Sequence, residues 1–210
     1  MHGVEITGVI SDTEIIGRII AGEKRLFEVI IRRYNQRMYR VGMAVLNNEQ
    51  DVEDAMQTAY INAYMNLEKF QNRAAFATWL TKIMLNQCLE QKRKKQLTQL
   101  SEYPSKAEIM NVPANELANK ELGKILERSI AALPEKYRLV FVLREIENFS
   151  VRETSETLNI EETNVKVRLN RAKTMLRENL GGYVKDHVYG FHLSRCDVIV
   201  NKVLGQLGLV

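Results

Sequence analysis

Residues 150–180, with the sequence SVRETSETLNIEETNVKVRLNRAKTMLRENL, decide how the whole chain is interpreted. They open with Ser-Val-Arg-Glu, which is typical of a capping box: the serine hydroxyl accepts from the Glu153 amide and the glutamate side chain reaches back. The pattern predicts a short helix that ends near Asn159 and a second helix that starts after Ile160. Two helices joined by a tight turn form a helix-turn-helix, whose second helix enters the major groove of DNA.

The second predicted helix is cationic. Between Thr163 and Arg177 it has five basic residues and no acidic one, and apolar residues at helical spacing supply a buried stripe. Its exposed side, called the reading arc below, comprises Lys166, Val167, Asn170 and Arg171. Long cationic side chains can donate to guanine edges or contact phosphates. A basic amphipathic helix can also be an ordinary solvated face, but the two-helix pattern favours binding of nucleic acid.

Composition indicates an all-α protein. The 210 residues include only three prolines and eleven glycines, 45% are hydrophobic, and the net charge of +4 is mild. Charge placement therefore matters more than total charge. The two cysteines lie far apart and no secretory signal pattern precedes them, so we expect a reduced, cytoplasmic protein. No run of apolar residues is long enough to cross a bilayer, so we expect no direct membrane insertion.

The first half of the chain predicts four helices. Gly22 separates the first two, and Asn47 and Asn48 separate the second from the third. The third helix has one apolar face and one polar face with Asp51, Asp54 and Gln57, called the docking face below. A fourth helix, roughly 75–94, ends in basic residues, and a polar stretch with two prolines follows.

The order of these parts resembles that of a known family. Asp51-Val52-Glu53-Asp54-Ala55-Met56-Gln57 and Phe76-Ala77-Thr78-Trp79-Leu80 precede a linker and then the helix-turn-helix. This order is similar to that of the extracytoplasmic-function sigma factors of bacterial RNA polymerase. The resemblance implies two small helical domains joined by a flexible linker: region 2 at 12–95, the linker at 96–117, region 4 at 118–180, and an extension of unknown role at 181–210.

The resemblance also implies roles for individual residues. The docking face would bind core polymerase at the clamp helices of the β′ subunit. Residues of the loop before the fourth helix, and of that helix, would recognise and open the minus-10 element: Phe70, Gln71, Asn72, Arg73, Lys82 and Asn86. Residues of the helix-turn-helix would read the minus-35 element: Lys166, Val167, Arg168, Asn170, Arg171 and Lys173. Lys92 and Arg93 could contact phosphate. For Phe70, core packing is an equal alternative to stacking on a base, and for Trp79 core packing is favoured.

The implied partners are core RNA polymerase, through the β′ clamp helices and the β flap, promoter DNA, and an anti-sigma factor. We expect no cofactor, no metal and no catalytic residues, because the sequence has neither a phosphate-binding glycine loop nor a paired-histidine motif. Two other classes stay open from the residues alone. One is a dimeric helix-turn-helix repressor, and the other is a pure interaction module.

The last thirty residues lie outside the resemblance. Gly181-Gly182 predicts a hinge before them. His192 and Cys196 have i, i+4 spacing and His187 is near in sequence, but a closed zinc site needs four ligands. The alternative is an amphipathic packing face, formed by Val198, Ile199, Val200, Val203, Leu204 and Leu207.

Overall fold

A computed structural model describes residues 10–71, 74–99 and 119–187. Within these ranges the chain is helical and contains no strand, which confirms the all-α prediction. The first helical unit consists of α1 (Asp12–Ile20), α2 (Phe27–Leu46), α3 (Glu49–Met65) and α4 (Phe76–Gln99). The second helical unit consists of α5 (Asn119–Ala131), α6 (Glu135–Phe141), α7 (Val151–Leu158) and α8 (Glu162–His187).

Local signals in the sequence account for the helix ends of the first unit. Gly22 has a φ of 113° and lies in the turn between α1 and α2, where a side chain would be strained. Asn47 ends α2 in the left-handed conformation, and the Asn48 side chain caps α3 by accepting from the Asp51 amide. The three separators predicted from sequence are therefore confirmed.

The core of the first unit lies between α2, α3 and α4, which pack against one another. Its fully buried side chains include Ile30, Met38, Val52, Leu80 and Met84. Helices approach closely because α2 has a glycine, Gly42, in the contact. A Cβ built on Gly42 would lie 2.6 Å from a methyl carbon of Val52 and 2.7 Å from the terminal methyl of Met84.

The helix that follows Pro134 is not regular along its length. It begins as α6 and continues as a π-helical turn, Val142–Ile146, where the Glu147 amide donates to the Val142 carbonyl. Pro134, whose nitrogen cannot donate a hydrogen bond, lies at the N-cap of α6. The extra residue of the π turn rotates the segment that follows it, which includes Glu147 and Phe149.

The two helical units share one hydrophobic cluster. Leu139, Val142, Leu143 and Phe149 of the second unit are buried with the core of the first. A smaller cluster of Leu133, Tyr137, Ala172 and Leu176 belongs to the second unit alone. The units therefore pack directly against each other, mainly through α2 and α4 on one side and α6, the π turn and α7 on the other.

One prediction about the chain's end is wrong. No hinge occurs at Gly181-Gly182, because α8 continues through both residues to His187. Each glycine costs about 1 kcal/mol of helix stability relative to alanine, which a helix already nucleated over five turns can absorb. His192, Cys196 and the predicted amphipathic face at 198–207 lie outside the described residues, as does most of the predicted linker.

Candidate nucleic-acid interface

The capping box sets the geometry of the helix-turn-helix. The Glu153 amide donates to Ser150 Oγ at 3.1 Å, and the Ser150 amide donates to Glu153 Oε2 at 2.8 Å. The bond from the Ser150 backbone, followed by that from its side chain, lowers the pKa of Glu153. Asn159 then ends α7 in the left-handed conformation, and α8 starts at Glu162. The short turn fixes α8 relative to α7.

The structure places the reading arc on the solvent side of α8. Lys166, Val167, Asn170 and Arg171 are all exposed, whereas Val165 and Ala172 on the opposite side are fully buried. The helical spacing in the sequence had selected the same two faces. Three of the four arc residues can donate hydrogen bonds, and Val167 is an apolar side chain half exposed between them.

Other cations of α8 differ in their surroundings. Arg168 is partly buried, and Lys173 is also partly buried and pairs with Glu145 of the π turn at 3.0 Å. Arg171 donates to the hydroxyl of Tyr137 at 3.2 Å, and this bond lowers the pKa of that hydroxyl. Arg171 is thus oriented by α6, whereas Lys166 makes no hydrogen bond or ion pair among the contacts described here. Within the reading arc, Lys166, Asn170 and Arg171 are the accessible donors for a nucleic acid.

The docking face on α3 is only partly free. Asp54 and Gln57 are exposed. Asp51 is not: its carboxylate is 16% exposed, and both its oxygens accept from Lys95 Nζ of α4 at 2.6 Å. Ile61 and Met65, with 56% and 74% exposure, continue the face toward the end of α3. The docking face therefore combines the exposed carboxylate of Asp54 with exposed apolar surface. Exposed apolar residues are ordinary when they are scattered singly, whereas here two of them continue a polar face.

An aromatic cluster joins the loop before α4 to the start of that helix. The Phe70 ring centroid lies 5.2 Å from that of Phe76 and 5.4 Å from that of Trp79. Phe70 and Trp79 are both partly buried against the first unit's core, whereas Gln71 is exposed. The cluster gives Phe70 a packing partner on one side and leaves part of its ring accessible. Asn72 and Arg73 lie outside the described residues.

The outer side of α4 continues from this loop. Lys82 and Asn86 are exposed one turn apart, and Asn86 lines a shallow surface depression with Leu89, Glu90 and Arg93. Lys92 is not on this free surface, because its ammonium pairs with Glu135 of α6. Of the residues predicted for the minus-10 element, the structure brings Phe70, Gln71, Lys82 and Asn86 to the first unit's surface.

Sequence reasoning missed the ionic contacts between the helical units. Glu147 is a buried glutamate, and both its oxygens accept from arginines of α2, Arg37 and Arg40. Residues more than a hundred positions apart leave no periodic signal. A hint existed only in the surplus of arginines on α2, which the sequence alone could equally assign to a solvated face.

Within the described residues, no helix has the length and apolarity needed to span a membrane. Over the same part of the chain, no group of three histidine, cysteine or acidic side chains has a metal-binding arrangement.

Two family comparisons match this architecture. The family described as Sigma-70 region 2 matches residues 30–98, and the family described as Sigma-70, region 4 matches residues 123–176. The first match covers α2 to α4 with the docking face, and the second covers the capping box and the reading arc.

Comparisons with individual proteins point to the same family. The ECF RNA polymerase sigma factor SigW of Bacillus subtilis is 31% identical over 180 residues, covering 79% of this chain and 94% of that protein. SigM of Mycobacterium tuberculosis, also an ECF sigma factor, is 27% identical, with 81% and 85% covered. The sigma factor RpoE of Bartonella quintana, solved with the anti-sigma factor NepR, shares the fold at 17% identity with a TM-score of 0.66, over 74% of this chain and 96% of that one. The chain belongs to the extracytoplasmic-function sigma factors of RNA polymerase.

Proposed function

We propose that this protein carries out the sigma-factor function through three separate surfaces: the docking face, the outer side of α4 with its preceding loop, and the reading arc. The observation that carries the proposal is that the exposed Asp54 carboxylate on α3 and the exposed cationic arc on α8 lie in different helical units. If the acidic residues of the docking face and the basic residues of the reading arc shared a surface, they would pair with each other rather than with polymerase and DNA. Polymerase and DNA can thus be bound independently.

Asp54 and Gln57 are the first contacts for the β′ clamp helices in this proposal. Asp51 has a different role, because its carboxylate already accepts hydrogen bonds from Lys95. Its role is to fix α4 against α3, so that the docking face and the minus-10 surface keep a constant relation. A salt bridge of this partly exposed kind contributes little stability by itself.

Promoter opening is assigned to the first unit. Phe70 offers an aromatic face for stacking, and Gln71, Lys82 and Asn86 offer donors and acceptors to an unpaired base and its phosphate. Asn72 and Arg73 complete this set in the proposal. Stacking on an aromatic ring is worth about 1–3 kcal/mol per base, which is comparable with the cost of unstacking one.

Minus-35 recognition is assigned to α8. Lys166, Val167, Asn170 and Arg171 face the major groove, and Arg168 and Lys173 at the edges of the arc contact the phosphates that flank it. Lys173 must first exchange Glu145 for a phosphate. That exchange keeps the number of ion pairs constant.

The proposed partners are core polymerase, through the β′ clamp helices and the β flap, and promoter DNA. An anti-sigma factor is included because structural neighbours were solved with one: RpoE with NepR, and CnrH with the cytosolic domain of CnrY, the latter sharing the fold at a TM-score of 0.59. In this proposal the protein acts with polymerase in the cytoplasm and has no catalytic residue of its own.

The test is transcription by reconstituted holoenzyme. Purified protein is added to core RNA polymerase and a promoter library, and transcription start sites are mapped. We expect a single family of promoters with a common minus-35 and minus-10 motif. Absence of polymerase binding and of directed initiation would reject the proposal. Tight binding of the protein alone to a palindromic site would instead favour a dimeric repressor.

A further inference from the structure

The contact between the helical units centres on one buried carboxylate. The Glu147 side chain is 5% exposed, and its two oxygens accept from different arginines: Oε2 from Arg37 Nε at 2.8 Å and Oε1 from Arg40 at 3.0 Å. The Arg37 guanidinium also lies 5.2 Å from the centroid of the Phe149 ring. Both arginines belong to α2 of the first unit, whereas Glu147 and Phe149 belong to the second.

Charge at this contact is divided between the units. The first unit contributes cations, Arg37, Arg40 and Lys92, and the second contributes the carboxylates of Glu147 and Glu135. Arg138 of α6 adds a further bond by donating to the Ala44 carbonyl at 2.8 Å. Such complementarity specifies one arrangement of two surfaces rather than general adhesion.

The energetics suit a contact that can open. Removing a carboxylate from water costs several kcal/mol, and ion pairs in a protein interior return roughly that amount. The intact ion pairs therefore add little net attraction, but loss of the Glu147 charge would leave the largely buried Arg37 without its carboxylate and destabilise the closed contact. Arg40 keeps 44% exposure, so added salt screens its pair with Glu147.

The packed arrangement conflicts with simultaneous reading of two promoter elements. Minus-10 and minus-35 elements lie, by their names, about 25 base pairs apart, which is roughly 85 Å along B-DNA at about 3.4 Å per base pair. A packed chain of 210 residues has a radius of gyration of about 17 Å and is roughly 43 Å across. The two helical units must separate before both elements are contacted at once.

We propose that Glu147, held by Arg37 and Arg40, is a latch that keeps the free protein closed and lowers its affinity for promoters that require both units. This inference rests on the proposed function, since it concerns how the two DNA surfaces are made available together. Binding to a minus-35 element alone needs no opening, because the reading arc is already exposed in the closed arrangement. The latch thus sets a conformational cost that only two-element binding has to meet.

The first test measures the closed state directly and does not depend on any DNA. Thr13 and Glu178 are exposed, one in each unit, and are changed to cysteine for donor and acceptor dyes in a Cys196→Ser background. The remaining Cys88 is fully buried and its thiol pKa is raised to about 12, so it reacts far more slowly than the two exposed cysteines. We expect a short distance in low salt and a longer one in Glu147→Gln. Glu156→Gln is the matched control, because Glu156 pairs with Arg152 within α7.

The second test measures binding to two DNA duplexes in the presence of core polymerase. One duplex has both promoter elements, and the other has the minus-35 element alone. Glu147→Gln is expected to bind the two-element promoter about tenfold more tightly and the minus-35 duplex unchanged. Circular dichroism melting checks that the variant is folded. The double variant Arg37→Gln, Arg40→Gln repeats the test by removing the two arginines that pair with Glu147. An unchanged dye distance in both latch variants, or an extended wild-type protein in low salt, overturns the latch. Loss of all promoter and polymerase binding in the wild type rejects the proposed function instead.

Discussion

Lys166 and Arg171 lie on the same exposed arc of α8 but differ in their other contacts. Arg171 is tethered to the Tyr137 hydroxyl, whereas no hydrogen bond or ion pair of Lys166 is found in the part of the chain described. Lys166→Ala should weaken binding to the minus-35 duplex by about 1–3 kcal/mol if Lys166 reads a base, or lower the salt dependence by about one counterion if it contacts phosphate. Fluorescence anisotropy at several salt concentrations measures both quantities.

Lys24→Ala is the control for this experiment. Lys24 is an exposed cation before α2 and has the same charge as Lys166. Equal losses in the two variants would mean that binding depends on total charge and would contradict a specific reading arc.

Asp54→Ala, on the docking face, should show the opposite pattern from Lys166→Ala: polymerase binding is lost and minus-35 binding is kept.

The capping box makes a prediction about pH. The pKa of Glu153 is lowered in the folded protein by the bonds from Ser150. A depressed carboxyl pKa contributes stability that is fully present above the unfolded value, near 4.5, and is lost as pH falls through the lower folded value. Urea unfolding near pH 7 and below pH 4 should therefore show a smaller pH dependence in Glu153→Gln than in the wild type. If the free energy of unfolding changed equally with pH in the wild type and in Glu153→Gln, this account would be contradicted. Ser150→Ala should lower the free energy of unfolding by about 1 kcal/mol at neutral pH.

At the residue scale, sequence predicts what lies within one helical turn. Ser150 and Glu153 are three residues apart, so their bonds follow from the string alone. The pair of Asp51 and Lys95 spans 44 residues, and no local pattern shows that a docking carboxylate is already occupied. The residues predicted for the reading arc are exposed because helix periodicity decides which side of α8 they occupy.

Helix α2 shows how packing constrains an element. Gly42 faces α3 and α4 at a point where a Cβ would overlap Val52 and Met84, while Gly17 in α1 has no atom near that position. Gly17→Ala should stabilise the protein by up to about 1 kcal/mol, because alanine has the higher helix propensity. Gly42→Ala gains the same propensity but should destabilise it overall, since overpacking costs about 1–3 kcal/mol.

Chemical denaturation of both variants measures the difference. The two substitutions are chemically identical and both lie in helices, so propensity cancels in the comparison. A Gly42→Ala protein as stable as Gly17→Ala would show that α2, α3 and α4 can move apart at no cost.

Element order and faces were predictable, and element irregularities were not. Apolar spacing predicted α2, α3 and α8 with their buried sides. The residues of the π turn at Val142–Ile146 carry no local signature that distinguishes them from those of a regular helix. Glu147 and Phe149 follow the π turn directly and make their contacts with the first unit. The continuation of α8 past Gly181-Gly182 is a similar case, in which an established helix overrides a weak local preference.

For the whole molecule, the shared hydrophobic cluster implies that the helical units are energetically coupled. Phe149 belongs to the second unit in sequence but is 3% exposed and buried with the core of the first. Cys88 lies fully buried in that core, and burial raises its thiol pKa to about 12, so reagents reach the thiolate only when the first unit opens. Its labelling rate therefore reports the stability of the first unit.

This coupling gives a prediction that separates one cooperative molecule from two independent domains. Phe149→Ala, in a Cys196→Ser background, should speed labelling of Cys88 by an order of magnitude or more, because large-to-small changes in a core cost about 3–5 kcal/mol and part of that loss falls on the first unit. Leu176→Ala is the matched control, since Leu176 is equally buried but belongs to the cluster of the second unit alone. It should lower the melting temperature while changing Cys88 labelling much less. If Phe149→Ala left the labelling rate unchanged, the two units would be independent, and the closed arrangement would contribute nothing to the stability of the first.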